Sequence, residues 1–219
     1  MKAPHPFVSF VPLAFALVAG CTSTRPVPTP GAEGFDQELS GWRTGSTGGR
    51  GVSATWGTGP DAHAISPPNV VSMQAMNHGS EDRFNLFWTT GAGVQNGKVA
   101  VAVRANGGEV DQGGGPMWRV QDENNYYLCR LNPLESNFRV YVVKDGVRRQ
   151  LATAKFDAKV GEWHRLEAVF DGARIVCSID GKVLLEASDG TIGSGGGHGL
   201  WTKADALTSF DDLVVEAKK

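Results

Sequence analysis

The sequence predicts an all-β protein, and three observations support this prediction. Short segments in which apolar and polar residues alternate recur along most of the chain, as expected for strands with one buried face. Three of the joins between these segments carry Asp-Gly, which suits two-residue hairpin turns because both central residues need a positive φ. The sequence has no amphipathic helical stretch longer than one or two turns, and its 29 glycines favour turns over helices. This pattern is typical of a sandwich or a barrel.

Composition sets the size and the class of the protein. The chain has 219 residues, of which 41% are hydrophobic and 20% charged, and its formal net charge is −2. These values are typical of an ordinary globular protein that can form one large β domain. A nucleic-acid partner is not expected, because it would require a basic surface.

The N-terminus has the pattern of a lipoprotein signal. Lys2 precedes an apolar run that is too short, and too broken by Pro12, to span a bilayer. The run ends in small residues directly before Cys21, and this arrangement resembles a bacterial lipobox. The resemblance implies a signal peptide over residues 1–20 and a lipid on Cys21. Because the next residue is Thr22 and not Asp, it also implies the outer membrane of a Gram-negative cell. A plain secretory signal with an incidental cysteine is the alternative.

A tether and a single domain are expected after the signal. Residues 21–33 are rich in Pro and Thr and should form an extended link to the membrane. The domain is predicted to cover residues 34–219.

The elements of this domain are predicted in chain order from alternation and turn residues. Phe35–Trp42 is a first strand or a strand with a turn, and the connection over residues 45–68 is irregular apart from a short strand near Val52–Trp56. The later strands are Val70–Met76, Arg83–Thr89, Lys98–Ala105, Met117–Asp122, Tyr126–Asn132, Phe138–Val143, Arg149–Ala154, Trp163–Phe170, Arg174–Ile179, Val183–Ala187, Gly199–Thr202 and Phe210–Glu216. The hairpin turns are Asp145-Gly146, Asp171-Gly172 and Asp180-Gly181.

Three consecutive strands, Met117–Asp122, Tyr126–Asn132 and Phe138–Val143, form the candidate binding region. Each alternates an apolar face with a face of Arg, Tyr, Gln and Asn, and successive side chains of a strand point to opposite faces. Tyr, Arg and Asn provide the ring stacking and the multiple donors and acceptors that sugar binding uses. The candidate ligand-binding residues are Arg119, Gln121, Tyr126, Arg130, Asn132, Arg139 and Tyr141.

Two alternatives concern what this face does. A cluster of arginines favours carboxylate or sulfate groups, so an acidic glycan is one possible ligand. Alternatively, the face is merely solvated, with its arginines paired to Asp122, Glu123, Glu135 or Glu167. Trp201 and Lys203 could border such a site, although a strand tryptophan more often packs in a core.

The remaining cysteines, Cys129 and Cys177, both lie between apolar residues at the spacing of a strand. This pattern favours two core positions, since free cysteine is among the most buried residue types. An oxidising compartment would permit a disulfide between them, and the sequence leaves that pairing open.

The residues from Trp118 to Val215 resemble a secreted bacterial branch of the concanavalin A-like lectin/glucanase superfamily. This branch is laminin-G-like and includes domains similar to 3-keto-disaccharide hydrolases and to family-16 glycoside hydrolases. The resemblance is carried by Trp118–Asp122, Asn125–Tyr127, Arg130–Glu135, Gly161–His164, Gly199–Asp205 and Phe210–Leu213, and by the opening Phe35, Leu39 and Gly41-Trp42. It implies a jelly-roll of two antiparallel sheets, one of them concave and used for carbohydrate.

The resemblance also bears on two further questions, whether the protein binds a structural calcium ion and whether it has catalytic residues. A structural Ca²⁺ often clamps the last strand to the first in this superfamily, and Asp211 or Asp212 matches that place. Family-16 glucanases carry Glu-x-Asp-x-x-Glu, which places an acid and a nucleophile on one strand face. Only Glu109-Val110-Asp111 matches part of it here, and Gly114 takes the last position. No other catalytic motif or cofactor motif is found.

The sequence therefore favours an envelope lipoprotein with a lectin-like jelly-roll domain that binds carbohydrate without turning it over. A glycoside-processing enzyme of the 3-keto-disaccharide hydrolase type is the alternative, and an envelope protein-interaction module is the third hypothesis. The fold alone does not decide among them, because one fold hosts many functions.

Overall fold

The structure is a computed structural model, which describes residues 1, 32, 34–36, 39–50, 54–74 and 81–219, without the side chains of residues 91 and 92. The predicted signal peptide, Cys21 and the tether lie outside the described residues except for the single positions 1 and 32. No helix in the described part of the chain has the length and apolar character needed to cross a membrane.

Fourteen strands are described, which confirms the predicted all-β class. They are β1 (Trp42–Thr47), β2 (Trp56–Pro60), β3 (Asn69–Met73), β4 (Phe84–Val94), β5 (Gly97–Gly107), β6 (Gly115–Asp122), β7 (Asn125–Asn132), β8 (Asn137–Lys144), β9 (Val147–Lys155), β10 (Trp163–Asp171), β11 (Arg174–Ile179), β12 (Lys182–Ser188), β13 (Gly196–Lys203) and β14 (Leu207–Ala217).

The strands form two seven-stranded antiparallel sheets that pack as a jelly-roll sandwich. Sheet I has the order β1-β4-β13-β6-β7-β8-β9, and sheet II has the order β12-β11-β10-β5-β14-β3-β2. The main core lies between them and is built from every second residue of the strands, as a period of two requires. Trp118, Tyr127 and Val140 enter it from sheet I, and Val101 and Leu166 enter it from sheet II.

Cys129 and Cys177 both lie in this core, one in each sheet, and both are free thiols. Burial and the neighbouring thiol of Cys177 raise the pKa of Cys129. The two cysteines therefore pack against each other as small apolar side chains, as the strand pattern favoured.

Two of the three predicted Asp-Gly turns are confirmed. Asp145-Gly146 and Asp180-Gly181 have positive φ at both residues, as a two-residue hairpin turn needs. The prediction for Asp171-Gly172 is wrong, because Asp171 is still paired with Arg174 and the two loop residues are Gly172 and Ala173. The predicted first strand is also displaced, since β1 begins only at Trp42.

Sheet I is strongly curved, and its outward face is concave. Thr47 on the edge strand β1 and Tyr126 on β7 are four strand spacings apart, which is about 19 Å in a flat sheet. Their side-chain oxygens are nevertheless 2.8 Å apart. The curved face encloses a second apolar cluster, whose members are 7% exposed or less: Phe84, Leu86, Trp88, Met117, Val120, Tyr126, Leu128, Tyr141, Val143 and Trp201.

The outward face of sheet II is covered in its middle by the chain itself. Ala100 and Ala102 of β5 are buried there, and their small side chains leave room for residues 61–68. Ile65 of this segment is also buried, and its backbone N–H donates to Asp211 on β14 at 2.7 Å. The middle of the concave face of sheet I is buried as well, but its edge exposes Arg139 and Glu135, so this face is the better candidate for ligand binding.

Candidate functional site

The alternation of β7 and β8 brings most of the predicted residues to the concave face of sheet I. Tyr126, Arg130 and Asn132 project from β7, and Arg139 and Tyr141 project from β8 directly beside them. The sequence pattern therefore predicted the grouping of these five residues correctly. It did not predict their burial, because the five residues except Arg139 are 3% exposed or less.

Arg130 is the centre of an ion-pair network on this face. Its guanidinium donates to Asp111 at 2.8 Å and to Glu135 at 2.7 Å, and its side chain is 2% exposed. A buried guanidinium needs such partners, because an unpaired charge in a low dielectric is very costly. Gly115 of the neighbouring strand leaves room beside it, since a Cβ there would lie 2.0 Å from the Cys129 carbonyl oxygen.

Glu135 connects this network to the exposed edge of the face. Besides Arg130, its carboxylate accepts hydrogen bonds from Arg139 at 2.9 Å and from Asn137 at 2.9 Å. Burial raises the pKa of Glu135, but the bond from Asn137 and the charges of Arg130 and Arg139 lower it below its usual value overall. Glu135 is thus held as a carboxylate, with 41% of its side chain exposed.

The turn between β7 and β8 places Glu135 in this position. Asn132 accepts the backbone N–H of Glu135 through its side-chain oxygen at 3.1 Å, a bond typical of Asn-initiated turns. Ser136 has a φ of 49° and donates its N–H to the carbonyl oxygen of Pro133. The Arg130–Glu135 motif of the sequence is therefore a turn that delivers a carboxylate between two arginines.

Asp111 closes the other side of the network, a role that the partial glucanase motif around it did not predict. It accepts Arg130 and Asn132 through one oxygen, at 2.8 Å each, and it pairs with Lys203 of β13 at 3.0 Å through the other. Asp205 fixes the segment that carries Asp111, because its carboxylate accepts hydrogen bonds from the backbone N–H groups of residues 109–111. These contacts join residues about 94 positions apart, which no local pattern predicts.

Arg148 lies over the aromatic part of the same face. Its guanidinium carbon is 4.6 Å from the ring centre of Tyr141, 4.7 Å from that of Phe84 and 5.8 Å from that of Trp201. A cation over ring faces at these distances is attracted by the ring quadrupole. Burial lowers the pKa of Arg148, which nevertheless stays protonated at neutral pH.

We name these side chains together the arginine face. Its members share the concave side of sheet I and contact one another or the same aromatic cluster. They are Arg130, Arg139, Arg148, Lys203, Asp111 and Glu135.

The prediction that Arg119 shares this face is wrong. β6 has a bulge at this position, where Arg119 has a φ of 48°. As a result Trp118 packs between the sheets while Met117 and Val120 both pack in the second cluster. The Arg119 guanidinium instead closes one end of the main core and donates to the carbonyl oxygens of residues 95, 172 and 192.

Gln121 also lies away from the arginine face. Its side-chain amide donates to the carbonyl oxygen of Gly195 at 3.0 Å and accepts the hydroxyl of Ser194 at 3.3 Å. The bulge at Arg119 reverses the alternation of β6, so Gln121 holds the loop before β13 instead of facing the candidate site.

Comparisons with solved structures place this architecture among known folds. The carbohydrate-binding module CBM66 from Bacillus subtilis is similar with a TM-score of 0.64 at 18% identity, over 81% of this chain and 96% of that one. A β-glucanase from Bacillus licheniformis is similar with a TM-score of 0.55 at 12% identity, over 85% and 97% of the two chains. A Bacillus subtilis protein of unknown function with a galectin-like fold has a TM-score of 0.53 at 12% identity, over 80% and 88%.

The chain has the concanavalin A-like lectin/glucanase fold. At these identities the similarity shows the fold alone. The sequence matches no protein-family model and no curated protein.

The resemblance places a structural calcium ion at Asp211 or Asp212. Asp211 is buried, and its carboxylate accepts the backbone N–H groups of Ile65, Ser66 and Asp212. Ca²⁺ takes six to eight oxygen ligands, whereas three N–H donors already occupy this carboxylate. In the part of the chain that the structure describes, no three His, Cys, Asp or Glu side chains are grouped to hold a metal ion. Calcium binding at this place stays a prediction.

Proposed function

We propose that this protein is a carbohydrate-binding lipoprotein of a bacterial cell envelope and that its arginine face is the ligand site. The observation that carries the proposal is the arginine face itself. It combines four cations and two carboxylates on the concave side of a sheet. The similarity of the fold to a carbohydrate-binding module supports the same ligand class.

The chemistry of the face suits a sugar. Hydroxyl groups both donate and accept hydrogen bonds, and the face offers guanidinium donors beside carboxylate acceptors. Arg139 and Glu135 are accessible members of the face, with 30% and 41% of their side chains exposed. Their mutual ion pair fixes them before a ligand arrives, which reduces the ordering cost of binding.

Binding without turnover is the better proposal for the two carboxylates on this face. Asp111 and Glu135 both bind Arg130 directly. A glycosidase acid must hold a proton near neutral pH, which requires a raised pKa. The pKa of Glu135 is lowered instead, so this carboxylate accepts hydrogen bonds and has no proton to donate.

Attachment to the outer membrane through Cys21 is part of the proposal, and it rests on the lipobox-like sequence that ends at this residue. Cells that express the full chain should incorporate labelled palmitate into it, and Cys21→Ser should abolish the labelling. Equal labelling of both chains would contradict lipidation at this position.

A glycan array tests the binding function. The full-length chain in detergent, Arg139→Ala and Arg174→Ala are applied to neutral and acidic glycans. Arg174 is a matched control, because it is an exposed arginine on sheet II with a carboxylate partner of its own. We expect at least one glycan to be bound by the wild-type chain and by Arg174→Ala, with a loss of tenfold or more for Arg139→Ala. If the wild-type chain bound none of the glycans, or if both variants lost binding equally, the proposal would be contradicted.

A further inference from the structure

We infer that the arginine face selects an acidic sugar, which carries a carboxylate or sulfate group, and that Arg148 is the side chain that binds this oxyanion. This inference rests on the proposed carbohydrate function and specifies its ligand class. It is carried by the position, the missing partner and the surroundings of one guanidinium group.

Among the described residues, the Nη1 atom of Arg148 has no hydrogen-bond partner. This atom is buried, and none of the carboxylates in the described residues forms an ion pair with the Arg148 side chain. Buried polar groups are nearly always satisfied, so a native exception calls for an explanation. The side chain as a whole is only half-buried, so a ligand that shifts it slightly and accepts hydrogen bonds would provide the missing partner.

The neighbouring arginines show that the protein can pair its guanidinium groups on this face. Arg130 has two carboxylate partners and Arg139 has one. Arg148 is the second residue of β9, lies opposite Val143 on β8, and rests on three aromatic rings instead. The rings hold the planar group in place and leave its hydrogen-bonding edge without an acceptor, an arrangement that is poised to bind an anion.

The charge of the face favours the same ligand. Four cations and two carboxylates leave it with a formal excess of two positive charges. Arg130 is close enough to lower the pKa of Arg148, although burial contributes more to that shift. The Arg130 Nε atom is likewise buried without a hydrogen-bond partner. An oxyanion bound at Arg148 would relieve the repulsion between the two guanidinium groups.

Matched pairs of glycans test the inference with the full-length chain in detergent. Each pair differs only in its anionic group: oligogalacturonate and its methyl ester, a sulfated galactan oligosaccharide and its unsulfated form, and a sialylated glycan and the methyl ester of its sialic acid. We expect the acidic member of at least one pair to bind ten times more tightly than the neutral member. This preference should shrink between 0.05 and 0.5 M NaCl, because salt screens exposed charges. Uronate and sialate pairs report on carboxylate, and the galactan pair reports on sulfate.

Variants of Arg148 connect any preference to this side chain. Arg148→Leu keeps an apolar cover over the rings and removes the charge, so it should bind both members of the preferred pair equally. Arg148→Lys keeps the charge without the planar fork and should retain part of the preference. Arg174→Leu on sheet II is the control and should leave the preference unchanged. The melting temperature of Arg148→Leu should equal or exceed that of the wild type, whereas a purely structural arginine would lower it.

The outcomes separate this inference from the broader proposal. Equal binding of acidic and neutral members in every pair, or a preference that persists in Arg148→Leu, overturns the acidic-sugar inference and leaves carbohydrate binding intact. If the protein binds no member of any pair and no glycan on the array, both the acidic-sugar inference and the carbohydrate-binding proposal are overturned.

Discussion

Arg130 and Arg139 lie directly opposite each other on β7 and β8. Like charges at opposed positions destabilise a sheet, yet here a single carboxylate oxygen of Glu135 binds both guanidinium groups, at 2.7 and 2.9 Å. The carboxylate therefore allows two cations to share one place on the concave face. The arrangement places two positive charges side by side at the site where the proposed ligand binds.

Replacing Glu135 tests this bridge. Glu135→Gln leaves the two arginines opposed without their shared counter-charge and should lower the free energy of unfolding by about 1–3 kcal/mol. Urea denaturation of the full chain measures the change. The control is Glu186→Gln, which removes an exposed partner of Arg174 and should change stability by less than about 1 kcal/mol. Losses of equal size in the two variants would argue against the bridge.

Removing Asp111 should have a larger effect. Asp111 and Arg130 are each 2% exposed, and breaking a buried ion pair by removing one partner costs roughly 3–5 kcal/mol. Asp111→Asn should therefore be strongly destabilised in the same denaturation assay. The double variant Asp111→Leu with Arg130→Met should recover part of that loss, since it removes both buried charges and leaves only Lys203, which is 16% exposed, without its partner. A double variant less stable than Asp111→Asn would show that the buried charges are not the cause.

The sequence predicted the faces of β7 and β8 because their alternation is unbroken, and it failed at β6 because one bulged residue reverses the pattern. Nothing local identifies Arg119 as the bulge. Asp111 was missed because its role depends on Asp205, far along the chain. Arg148 was missed because the predicted strand began one residue later, at Arg149. The curvature that makes the face concave is a property of the whole sheet, and only contacts such as that between Thr47 and Tyr126 reveal it.

The different position of Arg119 gives a prediction of its own. Arg119→Met removes donors from buried carbonyl oxygens and should lower stability by roughly 3 kcal/mol, because each orphaned acceptor is costly. Glycan binding at a temperature where the variant is folded should be unchanged, since the side chain lies at the end of the main core. If Arg119→Met lost glycan binding but kept the stability of the wild type, Arg119 would instead belong to the candidate site.

His198 should make the protein sensitive to acid. Burial lowers its pKa to about 4, and its ring contacts Trp42 edge-on at 5.7 Å. A depressed pKa means that its contribution to stability is complete above the unfolded value of about 6.5 and is lost as the pH falls through 4. The loss should reach about 3 kcal/mol.

Comparison of wild type with His198→Gln isolates this contribution. The difference in unfolding free energy between the two chains should shrink by that amount between pH 6.5 and pH 4. Asp211, whose pKa burial raises to about 6, acts in the opposite sense, and it cancels because both chains contain it. A difference that is independent of pH would contradict the assignment to His198.

Hydrogen–deuterium exchange tests the location of the site most directly. The full chain is compared with and without the glycan that gives the strongest array signal. The account predicts protection concentrated in β7, β8 and β9 and in the turn around Glu135, with little change in β10, β11 and β12. Protection confined to sheet II, under conditions where the glycan is bound, would contradict the assignment of ligand binding to the arginine face.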